Sequence, residues 1–127
     1  MDANTPEEKI ILVVEDSIDF ARTLTKLLEL EGYQVICATN GKEALEVLAH
    51  LKRLPNLILL DIMMPVMNGF EFREAQLRDP RIKDIPVVVM TAHHDVKKAR
   101  EQLGTLGSIK KPPAIDEILS VVKAHAK

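Results

Sequence analysis

Short runs of aliphatic residues alternate along the chain with longer stretches in which apolar residues recur every three or four positions. A continuous apolar run is typical of a strand buried on both faces of a parallel sheet, whereas the longer spacing is typical of a helix with one buried face. The runs predict five strands, over residues 10–14, 34–39, 57–60, 86–90 and 106–110. The spacing predicts five helices, over residues 18–31, 41–51, 70–77, 95–103 and 115–122.

The alternation of strands and helices predicts the fold class. Parallel neighbours can be joined only through a crossover connection, and right-handed crossovers place helices on both faces of the sheet. We therefore predict an α/β three-layer sandwich, (βα)5, with a parallel five-stranded sheet. The flavodoxin-like strand order 2-1-3-4-5 is adopted as a common arrangement for open sheets of this size. Residues 1–8 are predicted to form a flexible N-terminal tail and residues 9–127 the single domain.

Composition and charge narrow the range of functions. The chain has 127 residues, 46% of them hydrophobic, which suits one domain. Its 17 Lys and Arg against 19 Asp and Glu leave a net charge of −2, so it lacks the basic excess that direct nucleic-acid binding needs. A polar, acidic start and the absence of a long apolar stretch predict a cytoplasmic protein without membrane insertion. The lone cysteine, Cys37, is predicted to be a small buried hydrophobe.

Polar residues occur where the predicted strands end, at the edge where open α/β sheets carry their sites. These residues are Glu15 and Asp16 after the first strand, Asp61 after the third, Thr91 after the fourth, and Lys110 and Lys111 at the fifth. Carboxylates that converge repel one another unless their pKa values rise or a cation lies among them. Because Mg²⁺ prefers oxygen ligands, we predict a Mg²⁺ site at this edge.

A carboxylate beside Mg²⁺ can attack a phosphoryl group and form an aspartyl phosphate. Asp61 is the predicted nucleophile, because it ends the central apolar run and directly precedes a loop. Thr91 can donate a hydrogen bond to a phosphoryl oxygen, and Lys111 can supply a positive charge. Each residue type alone is more often a helix cap, a strand residue or a solvated lysine, so the prediction depends on their joint placement at four strand ends.

The chain resembles the receiver domains of bacterial two-component response regulators over nearly its whole length. The resemblance rests on four segments: ILVVED at 11–16, DIMMP at 61–65 with Asn68-Gly69, MTA at 90–92, and Lys111-Pro112. It implies that Asp61 accepts a phosphoryl group from a phosphohistidine of a sensor histidine kinase or phosphotransfer protein. It also implies a cis Lys111-Pro112 bond, an isomer that is common only before proline.

The resemblance implies a role for each residue of the site. Asp16 and Asp61 would bind Mg²⁺ directly, and Glu15 would act at least through water. Met63 would contribute its backbone carbonyl to the metal. Thr91 and Lys111 would contact the phosphoryl group.

The resemblance also implies what such a domain does with the phosphoryl group. It would be no enzyme in the usual sense, since it would catalyse only its own phosphorylation and slow dephosphorylation. Its output would be changed contacts with a downstream protein partner, and a homodimer is a further arrangement open to it. The chain ends at Lys127, soon after the last predicted helix, so we expect a stand-alone regulator of the chemotaxis type.

Two other functions fit parts of the pattern. A Mg²⁺-dependent aspartyl-phosphate phosphohydrolase would use the same nucleophile, but such enzymes commonly carry a second acid two residues later, where this chain has Met63. A phosphate-independent interaction module would keep the fold without the switch. Ser108, at a position where receiver domains often carry an aromatic residue, favours that module modestly, whereas the intact acids, Thr91 and Lys111 argue against it.

Ile18 lies off the apolar stripe of the first predicted helix, close to the acids at residues 15 and 16. An exposed apolar residue at that place indicates a surface for a protein partner, and the resemblance places the kinase contact there. A single tolerated surface isoleucine fits the pattern equally well.

Overall fold

Five strands and four helices are formed by the residues that the computed structural model describes, namely 8–92, 101, 103–105 and 107–126. The strands are β1 (Ile10–Val14), β2 (Gln34–Ala38), β3 (Leu57–Asp61), β4 (Val87–Thr91) and β5 (Gly107–Lys110). The helices are α1 (Ile18–Leu30), α2 (Gly41–His50), α3 (Gly69–Arg78) and α4 (Ile115–His125). Most of the helix predicted over residues 95–103, and of the tail predicted over residues 1–8, lies outside the described residues.

The five strands pair in parallel in the order β2-β1-β3-β4-β5, which confirms the predicted α/β fold and strand order. Every residue of β1, β3 and β4 is buried, as their continuous apolar runs predict. The register sets Asp61 beside Met90 and Thr91 beside Lys110. The polar residues that end the strands are therefore brought to one edge of the sheet.

Helices cover both faces of the sheet, and the alternation of side chains along each strand divides the core in two. Ile11 and Val13 of β1 pack with α1 and α4 on one face. Leu12 and Val14 pack with α2 and α3 on the other face. This three-layer packing holds the strand ends rigidly, because each strand is fixed from above and below. Among the helices that the structure describes, none combines the length and apolar composition needed to cross a membrane.

Two side chains of α3 fix the segments that lead into β4 and β5. Arg73 donates hydrogen bonds to the carbonyl oxygen of Leu103 at 3.0 Å and to Oε1 of Gln76 at 2.7 Å. Gln76 is fully buried and donates to the carbonyl oxygens of Ile82 and Ile85 at 3.0 and 3.1 Å. Both segments are thus attached to one helix, which fixes where the two strands begin.

Cys37 is exposed, so the prediction that it is a buried hydrophobe is wrong. Its register partner Val13 is fully buried, but Cys37 lies on β2, which is an edge strand. There a groove opens beside α1, and Oγ1 of Thr25 lies 3.3 Å from Sγ of Cys37. Burial in a parallel sheet depends on the position of the strand in the sheet as well as on the residue type.

The loop from β3 to α3 contains a strained turn centred on Val66. Its φ is +69°, and the N–H of Met67 donates to the carbonyl oxygen of Pro65 at 2.8 Å, so the three residues form a γ-turn of the rare positive-φ form. A β-branched residue in this backbone region is a genuine outlier. The Val66 side chain is 74% exposed, so little packing compensates for the strain.

We predict that Val66→Gly raises the free energy of unfolding by about 1 kcal/mol, because glycine adopts positive φ without steric cost. Urea denaturation measures the change. Val66→Ala is the matched control: it keeps Cβ, and most of the penalty for positive φ, while removing the same exposed methyl groups. A Val66→Gly variant that is less stable than the unmodified chain would contradict the assignment of strain to this turn.

Candidate functional site

The carboxyl edge of the sheet brings together most of the side chains that the sequence singled out. Glu15 directly follows β1, and Asp61 ends β3 at the centre of the sheet. Thr91 ends β4, and the N–H of Lys111 donates to its carbonyl oxygen at 2.9 Å. Lys111 is thereby anchored beside the end of β4, on the same edge as the acids.

Three carboxylates meet at this edge. One oxygen from each of Glu15, Asp16 and Asp61 lies within 4.8 Å of the others. Glu15 and Asp61 are only 2% and 4% exposed, whereas Asp16 is exposed. Two of the three charges are thus removed from water and the third faces it, which leaves a cluster that is closed on the protein side and open on the solvent side.

Within the part of the chain that the structure describes, the Lys111 ammonium is the cation that contacts this cluster. Its Nζ forms an ion pair with Oε1 of Glu15 and lies 3.3 Å from Oδ2 of Asp61. The Lys111 side chain is 19% exposed, whereas the neighbouring Lys110 is exposed, so the sequence-based choice of Lys111 over Lys110 agrees with the geometry. The Lys111-Pro112 bond is cis, as predicted.

Comparison with known proteins matches the model of the response regulator receiver domain to residues 11–123. The chain belongs to the response regulator receiver family. This membership confirms the resemblance drawn from the sequence, and the receiver domain of two-component systems is the functional class of the chain.

The relatives of this receiver domain differ widely in length. It is 36% identical to sporulation initiation phosphotransferase F of Bacillus subtilis over 118 residues, which are 91% of either chain. It is 34% identical to regulatory protein AtoC of Escherichia coli over 116 residues, which are 89% of this chain but 24% of that protein. It therefore spans nearly all of one relative and about a quarter of the other.

Solved structures show the same fold. Chemotaxis protein CheY4 of Vibrio cholerae superposes with a TM-score of 0.84 at 28% identity, covering 94% of this chain and 99% of that one. The signal receiver domain of a histidine kinase from Syntrophus aciditrophicus gives a TM-score of 0.83 at 32% identity, covering 93% and 89%. The flavodoxin-like sheet of this receiver domain is thus shared with chains of related function.

Burial raises the pKa of both Glu15 and Asp61 in the receiver site. For Asp61 the negative charge of Asp16 adds to this rise, and for Glu15 the charge of Asp61 does the same. The Lys111 ammonium lowers both pKa values, but burial outweighs it. One ammonium therefore compensates the three carboxylates incompletely.

The donor set fits a divalent cation. Three converging carboxylates supply hard oxygen ligands, and one of them, Asp16, opens to water, so a cation bound there would keep some of its water ligands. Among the described residues, Glu15, Asp16 and Asp61 form the acidic group able to hold a metal ion. The exposed side chain of Met63 is no part of this carboxylate cluster, and its predicted backbone contribution stays a prediction.

Local structure holds the two buried acids in place. The N–H of Ser17 donates to Oε2 of Glu15 at 3.0 Å, and the Ser17 side chain caps α1. On the other side of the site, a Cβ on Gly69 would lie 2.6 Å from the carbonyl oxygen of Asp61, so only glycine lets α3 begin this close to the end of β3. An Asn-Gly pair is typical of a turn, whereas this close approach becomes visible only in three dimensions.

One residue of the site was missed by the sequence analysis. The ring of Phe20 lies against the Lys111 ammonium, with Nζ 4.8 Å from the ring centroid. Phe20 follows the apolar spacing of α1, a pattern that predicts only a side chain on the packed face of the helix. Its position one turn after Glu15 and Asp16 was the available signal, but the contact joins segments that are 91 residues apart in the chain.

We predict that Asp61→Asn stabilises the domain at pH 7 and that the gain shrinks toward about pH 4, where an ordinary aspartate titrates. Since the folded state raises the pKa of Asp61, ionising this carboxyl costs stability as the pH rises through the folded-state value. We expect a Tm increase of about 3 °C at pH 7, the shift that roughly 1 kcal/mol gives in a domain of this size. Thermal unfolding of both proteins across this pH range measures it.

Asp16→Asn is the matched control for this prediction. It removes the same charge from an exposed position, so only the repulsion between carboxylates is relieved, and we expect a smaller gain. An Asp61→Asn variant that loses stability at pH 7, or gains the same amount at every pH, would show that burial of the charge is not the dominant effect.

Proposed function

We propose that Asp61 accepts a phosphoryl group from a phosphohistidine of a sensor histidine kinase or phosphotransfer protein, with Mg²⁺ as cofactor. The observation that carries this proposal is the placement of a buried Asp61 carboxylate, within a cluster of acids, 3.3 Å from the Lys111 ammonium. Family membership supports it, because receiver domains are phosphoacceptors that act as signalling switches rather than as classical enzymes.

In the proposed step, an Oδ atom of Asp61 attacks the phosphorus atom of the donor. The new P–O bond forms as the P–N bond to the histidine breaks, and the imidazole nitrogen leaves with the electron pair and takes up a proton. Asp16, Asp61 and the carbonyl oxygen of Met63 would hold Mg²⁺, with Glu15 acting through water. When bound, Mg²⁺ would offset negative charge on the transferring group.

Lys111 and Thr91 act on the oxygen atoms of the phosphoryl group. The Lys111 ammonium already lies between two of the acids, so a short displacement brings it to an oxygen bonded to phosphorus on Asp61. The Thr91 hydroxyl would donate a hydrogen bond from the end of the neighbouring strand, which is joined to Lys111 through the main chain. Lys111 and Thr91 would stabilise the negative charge on the phosphoryl oxygens, which the Asp61 carboxylate by itself repels.

In the proposed function, the domain promotes its own phosphorylation and loses the phosphoryl group slowly. The residue two positions after Asp61 is Met63, whose side chain is 68% exposed and carries no group that can take a proton from water. This favours a long-lived aspartyl phosphate over the phosphohydrolase alternative.

The test is to incubate the protein with Mg²⁺ and acetyl phosphate and to follow its intact mass over time. We expect one added phosphoryl group on the unmodified chain, none on Asp61→Asn, and none after chelation of the metal. Asp16→Asn, which keeps the nucleophile, should slow the reaction by about tenfold or more because a ligand of the metal is lost. Rapid release of phosphate over many turnovers would favour a hydrolase, and no modification would favour a phosphate-independent module.

We also propose that the start of α1 contacts the phosphodonor protein. Ile18 is 61% exposed and lies two residues after Asp16, at one end of a groove of about 610 Å³ that continues past Arg22 and Thr25 to the edge strand. An apolar side chain so close to the phosphoacceptor can be buried by the protein that delivers the phosphoryl group.

Ile18→Ser is expected to slow phosphorylation by a histidine-phosphorylated kinase or phosphotransfer protein about fivefold, relative to phosphorylation by acetyl phosphate, because an apolar contact of the complex is lost. The control is Leu30→Ser, which removes an even more exposed apolar side chain at the far end of the same helix. Mass spectrometric time courses with both donors give, for each variant, the ratio of the rate with the protein donor to the rate with acetyl phosphate. An equal ratio for the two variants would rule out the start of α1 as the contact for the phosphodonor protein.

A further inference from the structure

Four successive contacts link the Lys111 ammonium to the start of α1 and back to the same ammonium. Lys111 Nζ pairs with Oε1 of Glu15, while Oε2 of the same carboxylate accepts from the N–H of Ser17 at 3.0 Å. The hydroxyl oxygen of Ser17 accepts from the N–H of Phe20 at 3.3 Å. The Phe20 ring then returns to Lys111, at 4.8 Å from Nζ to the ring centroid.

These four contacts restrict the side chain of Lys111, which is otherwise flexible. A lysine ammonium sits on a stem of four carbons and loses considerable rotamer freedom when it is held in one place. A cation over the face of an aromatic ring is attracted by the ring quadrupole, and a distance of 4.8 Å lies within the range of that attraction. The ring also keeps water from one side of the ammonium, which is 19% exposed, and so strengthens its ion pairs with the carboxylates.

We propose that Phe20 is a positioning residue for phosphoryl transfer, which acts by holding the Lys111 ammonium beside Asp61 through the face of its ring. The expected effect of Phe20 on the rate of phosphorylation rests on the function proposed above, whereas the positioning of the Lys111 ammonium by the ring does not. Because Ser17 fixes both Glu15 and the backbone of Phe20, the first turn of α1 presents an acid and a ring to the lysine in one rigid arrangement. A leucine at position 20 would fill the apolar space without the quadrupole.

The first test needs no phosphorylation, and it uses a variant only to assign the Lys111 signal. The ε-methylene protons of Lys111 are expected to resonate upfield of those of the other lysines, because their carbon is bonded to Nζ, which lies over the ring of Phe20. Assignment uses Lys111→Met, in which the signal disappears. If the Lys111 signal falls among those of the exposed lysines, the ammonium does not lie over the ring and the proposal is overturned.

The second test uses Phe20→Leu and Phe20→Tyr. Relaxation of the Lys111 ε-carbon is expected to show greater mobility in Phe20→Leu than in the unmodified chain, with Phe20→Tyr restoring most of the order because it keeps the ring. Urea denaturation of each variant reports whether the fold is intact. Equal mobility in all three proteins would show that the ring does not hold the lysine.

The third test measures phosphorylation by acetyl phosphate, with and without Lys111. Phe20→Leu should slow the reaction about fivefold when Lys111 is present. In the Lys111→Met background the same change should slow it less than twofold, since a double-mutant cycle isolates effects that pass through the lysine. Equal slowing in both backgrounds would show that Phe20 only packs the core.

These tests separate the two proposals. If the unmodified chain takes up no phosphoryl group, the proposed function fails, while the resonance position and mobility of Lys111 still decide whether Phe20 positions it. If the chain is phosphorylated but the Lys111 signals do not depend on the ring, only the positioning role fails.

Discussion

Repulsion among three carboxylates at one edge of the sheet is the constraint on which the rest of the site depends. Glu15 and Asp61 are buried and Asp16 stands beside them, an arrangement that would push the chain apart if it were not held. The sheet holds the acids together, because Glu15 and Asp16 directly follow β1 and Asp61 ends β3, and both strands are packed on both faces. Among the described residues one ammonium, that of Lys111, offsets part of the charge, and the uncompensated remainder is what the proposed Mg²⁺ ion would neutralise.

Several features of the loops make sense once this constraint is recognised. The N-cap of α1 donates to Glu15, so the helix begins where it can support a buried acid. Gly69 lets α3 begin against the carbonyl of Asp61, which shortens the connection and leaves Asp61 little freedom. The strained turn at Val66 lies in the same connection, and its conformation is imposed by a loop that must turn back within a few residues.

The fold and the acids were predictable from the sequence because both follow from local patterns. Continuous apolar runs identify buried strands, and a polar residue that ends such a run marks the edge where sites form, as Asp61 illustrates. The prediction for Cys37 was wrong because it followed the residue type alone, although the predicted strand order already places β2 at the edge of the sheet, where a groove opens beside α1. The contact of Phe20 with Lys111 depends on how two distant segments meet, which no pattern within one segment encodes. The positive φ of Val66 could not be predicted because a β-branched residue is not expected in that backbone region.

The adjacent lysines at the end of β5 also matter to anyone who wishes to label this domain chemically. Lys110 is exposed, whereas the amine of Lys111 is enclosed by two carboxylates and an aromatic ring. At this end of β5 an amine-reactive reagent in limited amount therefore encounters two adjacent lysines of identical chemistry and unequal accessibility. A fluorophore or cross-linker carried by Lys110 would be attached next to Lys111 in the chain while the acidic cluster itself stays unmodified.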